Sequence, residues 1–428
     1  IGLCFASDSR SLARRPEHYL IVGELGLSGD VRPINGALAI AMMARKMGLK
    51  GVILPRENAN EAAVVPGIAV YPVNHLREAI HFFLSEKELS PHPKVEISST
   101  FRRGTIDFSD IKGQAHAKRA LEIAAAGAHN VLLIGPPGSG KTMLARALAG
   151  IMPPMNVDEL LETTKIHSIA GLLRSGQHVV DSRPFRAPHH TVSYAGLVGG
   201  GAVPGPGEVS LAHNGVLFLD ELPEYGRSVL EVLRQPLEDG HVTISRANGN
   251  YTFPTQFLCV CAMNPCPCGF YGQIDKVCKC SLFQVERYQG RISGPLRDRI
   301  DMHITVPALG YDALHSPKDS CETSEDVQKR VIAARMIQWR RLGEGRSNSL
   351  MARNEIVKYC QLDALGHDVM RYAVENGLSA RGCANVLKTA LTIANLDDRD
   401  HISVDDVSEA VSYRDAAPKE AAQMECPH

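Results

Sequence analysis

The chain has no long hydrophobic run. Its longest apolar stretches, such as Phe257 to Met263, are strand-sized, well short of the ~18 residues a membrane-spanning helix requires, so a soluble protein without a membrane partner is expected. It has no excess of either charge. With 46 Lys and Arg against 47 Asp and Glu the net charge is −1, so a nucleic-acid partner has to be met by a local basic surface. Cysteine is too sparse for a disulfide scaffold, at 11 in 428 residues. Four of the cysteines crowd into Cys266 to Cys280, a pattern of metal ligation in a reducing compartment, and the cytoplasm is the default expectation. No initiator Met is present, so the first residues, Ile1 to Cys4, carry no argument about a signal peptide. No internal repeat is found. What the chain does have is 44% hydrophobic residues, ample for real cores, and length for about two to four domains.

Residues 1–88 alternate short apolar strands (Tyr19 to Leu25, Gly51 to Leu54, Ala69 to Val73) with helix-like runs (Ala37 to Met47, His75 to Leu84), and read as a small α/β domain. Residues 89–105 turn polar, with Pro91, Pro93 and Arg102-Arg103, and read as a linker. From 106 to 318 the strands Val131 to Ile134, Val216 to Leu219 and Phe257 to Ala262 are separated by helices, as in a parallel sheet with crossover helices on both faces. Residues 319–414 read as a helical domain, and 415–428 as a loose, disordered tail.

Residues 135–142, Gly135-Pro136-Pro137-Gly138-Ser139-Gly140-Lys141-Thr142, follow an apolar strand and open a helix. The glycines let backbone N–H groups turn inward around phosphates, Lys141 brings a charge to the β and γ oxygens, and the Thr142 hydroxyl can ligate Mg²⁺. This predicts binding of ATP or GTP. Downstream, Val216 to Leu219 ends in Asp220 and Glu221, a metal partner and a base for an attacking water. The next apolar strand ends at Asn264, whose amide can orient that water or touch the γ-phosphate. A lone Asn more often caps a turn.

The strings GPPGSGKT, VLFLDELPE, AMNPCPCG and SGPLRDRIDMH, with PFRAPHHTVS and GEVSLAHNG between them, together resemble the ComM/YifB family of magnesium-chelatase-like AAA+ ATPases over residues 19 to 414. The resemblance implies a homo-oligomeric ring, a hexamer, that binds ATP with Mg²⁺. Within it Asn264 resembles the sensor-1 residue. Arg299 resembles the arginine finger that reaches a neighbour's ATP, with Arg297 a nearby rival, and Arg381 is similar to the sensor-2 arginine of the helical lid. A fixed guanidinium suits these roles because it stabilises charge developing on the transferred phosphoryl group.

Lys141 and Asp220 are 79 positions apart, more than a strand, helix and strand require, so an insert is expected. In the resembling class such an insert in helix 2 faces the pore of the ring. Arg186, His189 and His190 are its candidate DNA contacts, since cations follow phosphates and His can stack. Arg246, in the hairpin-like stretch His241 to Phe253, is another. A purely structural role, or a His-His metal site, competes with the first three.

Cys266-x-Cys268 and Cys278-x-Cys280 are separated by nine residues that include Gly269 and Gly272, which lets four thiolates converge on Zn²⁺. An iron–sulfur cluster, free thiols or a redox pair are the alternatives. Cys259, Cys261, Cys360 and Cys383 read as core residues. The segment 19–73 resembles the Lon-protease-like domain of this family. The protease's Ser-Lys dyad is not expected to operate, because Leu38 stands where that enzyme carries its Lys. The combined expectation is an α/β AAA+ P-loop core with a helical lid and a partial Lon-like domain, acting as an ATP-driven motor on single-stranded or branched DNA. A chelatase-type motor subunit and a protein remodeller are the alternatives.

Overall fold

The computed structural model describes residues 12–95, 106–173, 177–201, 204–246, 249–273, 276–310 and 322–414. The expected tail 415–428 and much of the expected linker lie outside the described residues. Two compact units are formed, one drawn from Ile1–Thr100 with Met155–Ser182, the other from Phe101–Pro154 with Arg183–His428.

The first unit is built on three parallel strands, β1 (Tyr19–Ile21), β2 (Gly51–Pro55) and β3 (Ala69–Val73), with β2 in the centre. All five β2 residues are buried, as an unbroken apolar run in a central parallel strand requires. Helix α1 (Ala37–Lys46) follows Gly36, which caps it with φ 84°, and buries Ala37, Leu38, Ala41 and Ala44 on one face. The helix Val157–Ile169 lies far along the chain yet packs in this unit, its Leu161 in the same cluster as Leu38 and Ala41. Met155–Ser182 lies within the expected core of 106–318, between Lys141 and Asp220 where an insert is expected, and it packs in the amino-terminal unit. Buried Glu61 joins these pieces by accepting from the Leu38 N–H at 2.9 Å, from Asn58 at 3.3 Å and from the Ser168 hydroxyl. A charge so buried needs several donors, and here it caps the otherwise open start of α1. Leu38 is fully buried, so the position that would hold a dyad lysine is a core position.

The second unit contains a five-stranded parallel sheet in the order β8 (Met302–Thr305), β4 (Val131–Ile134), β7 (Leu258–Met263), β6 (Val216–Leu219), β5 (Phe185–Arg186). Alternate residues sort cleanly between its faces. Val131, Leu133, Val216, Phe218, Val260 and Ala262 enter one apolar cluster, whereas Leu132, Leu217, Leu219, Cys259 and Cys261 enter the other, so both faces are covered. Helices α2 (Ala115–Gly127) and α3 (Lys141–Ile151) belong to the first cluster. The lid docks through the long helix Ser324–Leu342. Its Gln328, Arg335 and Gln338 donate to the carbonyls of Met152, Ala125 and Ala126, acceptors left open where α2 and α3 end. Helix α4 (Ala380–Leu396) adds Asn385, which donates to the Asp298 carbonyl at 3.1 Å. Among the described residues no helix is long and apolar enough to cross a membrane.

Candidate nucleotide and metal sites

The phosphate loop runs from the end of β4 to the start of α3. Gly138 and Gly140 adopt φ 79° and 90°, left-handed values that turn successive N–H groups the same way. Gly135 is required for space, since a Cβ there would stand 2.1 Å from the Val306 carbonyl oxygen. Lys141 is buried and donates to the carbonyls of Gly135 and Pro136, both at 2.8 Å, and to Asn264 Oδ1 at 3.3 Å. Burial pushes its ammonium pKa down, against the opposing pull of Asp220 and Glu221. The charge is therefore poorly solvated and well placed to gain from an arriving phosphate. Thr142 Oγ1 donates to Asp220 Oδ2 at 3.0 Å, so the hydroxyl and the carboxylate sit where they can share one Mg²⁺.

Glu221 begins a sharp turn off β6 with φ 52°, a left-handed conformation that costs a non-glycine residue about 1–2 kcal/mol. That turn exposes its carboxylate, and His190 Nδ1 lies 3.4 Å from Oε2. The loop that carries His190 is fixed by Tyr225, whose hydroxyl donates to the Pro188 carbonyl at 2.6 Å. His189 stacks near His190, with ring centroids 4.1 Å apart, and bonds Thr191. Arg186 makes a two-armed pair with Glu208 at 2.7 Å on each arm. Of the four residues put forward for DNA, Arg186 is thus committed to Glu208, and His190 faces the carboxylate of Glu221. Arg246 is exposed near the turn of the hairpin His241–Arg246 with Gly249–Pro254, close to Gly200 of a second, two-stranded glycine-rich ribbon. Tyr251 of the same hairpin is 37% exposed and escaped the sequence reading.

Arg299 and Arg381, 82 positions apart in sequence, meet on one carboxylate. Glu238 accepts Arg299 Nε at 3.1 Å and a second nitrogen of the same guanidinium, and Arg381 reaches its other oxygen at 2.8 Å. The hydrogen bonds of Arg299, then those of Arg381, hold the Glu238 carboxyl below its ordinary range. Arg297 instead donates to the Gln289 carbonyl. No sequence signal marked Glu238, one of two adjacent acids at the end of the six-residue helix Arg234–Asp239.

Cys266, Cys268, Cys278 and Cys280 do converge. Their sulfurs all lie within 4.8 Å of one another, with Cys266 to Cys268 at 3.3 Å and Cys268 to Cys278 at 3.5 Å. A tetrahedral Zn²⁺ with ~2.3 Å bonds spaces its sulfurs at roughly 3.8 Å, so the set suits one such ion. Cys259, Cys261 and Cys360 are buried and Cys383 is half-buried.

A phosphate loop at the end of the interior strand β4, a polar residue at the end of neighbouring β7, an acidic pair at the end of β6 one strand further on, and a helical lid together define an AAA+ P-loop core. Family profiles agree with this. Residues 107–314 match "Magnesium chelatase, subunit ChlI", 321–414 match "Magnesium chelatase, subunit ChlI C-terminal", and 1–58 match "Subunit ChlI of Mg-chelatase". Competence protein ComM of Haemophilus influenzae is 41% identical over 418 residues, 97% of this chain and 81% of that protein. YifB of Escherichia coli is 41% identical over 417 residues, 97% and 80% respectively. Magnesium-chelatase subunit ChlI of Euglena gracilis is 22% identical over 344 residues, 72% and 88%. The chain belongs to the ComM/YifB family of magnesium-chelatase-like AAA+ proteins.

Proposed function

We propose that this protein is an ATP-driven DNA motor, a ring of six copies that hydrolyses ATP between subunits and translocates on branched DNA, promoting branch migration in recombination and natural transformation. The observation that carries the ATPase part is the joined network of Lys141 with Asn264 and Thr142 with Asp220, beside Glu221. In this reading Lys141 and the loop amides hold the β and γ phosphates, Thr142 and Asp220 hold Mg²⁺, and Glu221 takes a proton from the attacking water. Arg299 is the arginine finger that reaches the ATP of an adjacent copy and Arg381 the sensor-2 arginine of the lid, and their shared partner Glu238 holds the two guanidinium groups side by side. Arg246 and Tyr251 supply a cation and an aromatic face for a nucleic-acid strand. The Cys266, Cys268, Cys278 and Cys280 set holds Zn²⁺ in preference to an iron–sulfur core, because sulfurs this close enclose a single ion. The DNA substrate rests on family membership and on the printed name of the competence relative.

The test is steady-state ATP hydrolysis with and without a synthetic four-way DNA junction, at low and at physiological salt, with Glu221→Gln as a non-hydrolysing control. Stimulation by the junction that fades as salt rises is the expected result, because phosphate contacts release counterions. Robust hydrolysis indifferent to every DNA form would sink the DNA motor and favour a chelatase-type or protein-remodelling motor.

A further inference from the structure

We propose that the four-cysteine knuckle is a metal-dependent buttress of the phosphate loop, so that nucleotide affinity is set by whether the metal is bound. This rests on the reading of the four cysteines as a metal site and assigns that site a consequence for the ATP-binding loop. The two sites share one short piece of chain. Beyond the end of β7 at Met263, Asn264 bonds Lys141, the Pro265 carbonyl accepts from Gln289 at 2.9 Å, and Cys266 enters the sulfur cluster. They also touch directly. Gly269 has φ 84°, and a Cβ built there would lie 2.5 Å from Pro137 Cδ and 3.2 Å from Cγ, so the knuckle rests on the middle of the phosphate loop with no room for one methyl group.

Among its described residues the knuckle is held by short turn bonds, Gly269 N–H to the Cys266 carbonyl at 3.0 Å and Gln273 N–H to the Phe270 carbonyl at 3.1 Å. None of the described residues between Met263 and Leu282 lies in a helix or strand. Its backbone instead aims amides at sulfur, Tyr271 N–H at Cys266 at 3.3 Å and Cys280 N–H at Cys278 at 3.4 Å, the donors that thiolates of a metal centre attract. Without a cation between them the sulfurs take up protons instead of staying ionised together, and the four metal–sulfur bonds that tie the two ends of the knuckle are lost. Loss of the ion therefore opens the knuckle, withdraws Gly269 from Pro137, and removes the wall that keeps the loop's N–H groups turned inward. Cys268, Cys278 and Cys280 are only half-buried, so a chelator can reach the ion.

The experiment uses the full chain. Zinc per chain is measured by elemental analysis, and affinity is measured with a fluorescent ATP analogue, for the wild type as purified, after chelation, and after zinc is restored. Two variants accompany it, Cys268→Ser/Cys278→Ser and Gly269→Ala. One zinc per chain is expected in the wild type. Stripping it should raise the nucleotide Kd on the order of tenfold, about 1.4 kcal/mol, with recovery when zinc returns. The double serine variant should bind weakly whether or not zinc is added. Gly269→Ala should keep its zinc and still bind nucleotide more weakly, because the fault lies at the contact with Pro137. Stripped protein that keeps full nucleotide affinity overturns the buttress while leaving the metal site intact. A wild type that neither carries nor takes up zinc overturns the metal reading beneath it. Should the serine variant fail to fold, the stripped wild type and Gly269→Ala decide the matter.

Discussion

At the scale of single residues, Glu238 is the side chain whose loss has the sharpest expected signature. One carboxylate holds two guanidinium groups whose fixed position matters only if they stabilise charge on a transferred phosphoryl group. Glu238→Gln keeps the size and shape of the side chain and weakens both ion pairs. Nucleotide affinity should stay as it was, since Lys141 and the loop glycines are untouched, while kcat for ATP should fall by on the order of tenfold to a hundredfold through misplaced arginines. Separate measurement of Kd and kcat checks this, and equal loss in both would point to general unfolding. The sequence could not mark Glu238. Its partners lie 61 and 143 positions away, and no local spacing binds an acid on one short helix to an arginine in a turn before β8 and another on α4. The phosphate loop was legible because its chemistry is local: left-handed glycines, a lysine and a hydroxyl at fixed offsets after an apolar strand. The cysteine quartet was legible for the same reason. The pairing of Arg186 with Glu208 was not legible, since nothing in the stretch around Arg186 announces that partner.

At the scale of elements, β8 carries a titratable group in an environment that opposes its charge. Burial first, then the positive charges of Arg414 and Arg297, push the His303 imidazole down to about 3, although Asp301 and the Arg297 carbonyl pull the other way. The unfolded ring titrates near ~6.5. Above that pH it is neutral in both states and contributes nothing to the pH dependence. As pH falls below ~6.5 the unfolded chain binds a proton that the folded chain refuses, so stability declines by about 1.4 kcal/mol per pH unit until the folded form titrates as well. Urea unfolding between pH 7 and 5 should show this decline in the wild type and a flatter profile in His303→Gln. Equal slopes would remove His303 as the cause. Strands such as Val131–Ile134 and Val216–Leu219 were legible to the residue because buried parallel strands are short unbroken apolar runs. The packing of Val157–Ile169 was not, because its buried face mixes Leu160, Leu161 and Ile166 with Thr163, Thr164 and Ser168 and shows neither a clear apolar stripe nor which partner covers it. Its cover comes from α1, on residues more than a hundred positions earlier.

At the scale of the whole molecule, the placement of Arg299 and Arg381 on Glu238, with Lys141 bonded to Asn264 and the loop, separates the residues that would bind ATP from those that would finish its hydrolysis. If Arg299 serves an adjacent copy, two defects on opposite sides of the interface should complement each other. Lys141→Ala chains bind no nucleotide but still present Arg299, while Arg299→Ala chains bind nucleotide but offer no finger. Each protein alone should be close to inactive. Mixed one to one and allowed to assemble, up to about a quarter of the sites would join an intact phosphate loop to an intact finger, and ATPase activity should rise toward that fraction of the wild-type rate. Activity that stays at the level of the separate variants, in mixtures shown by sizing to co-assemble, would mean that Arg299 acts on the ATP of its own chain. The Glu238 cluster would then have to open for that arginine to reach it, which makes that ion pair a step in the cycle instead of a fixture of the interface.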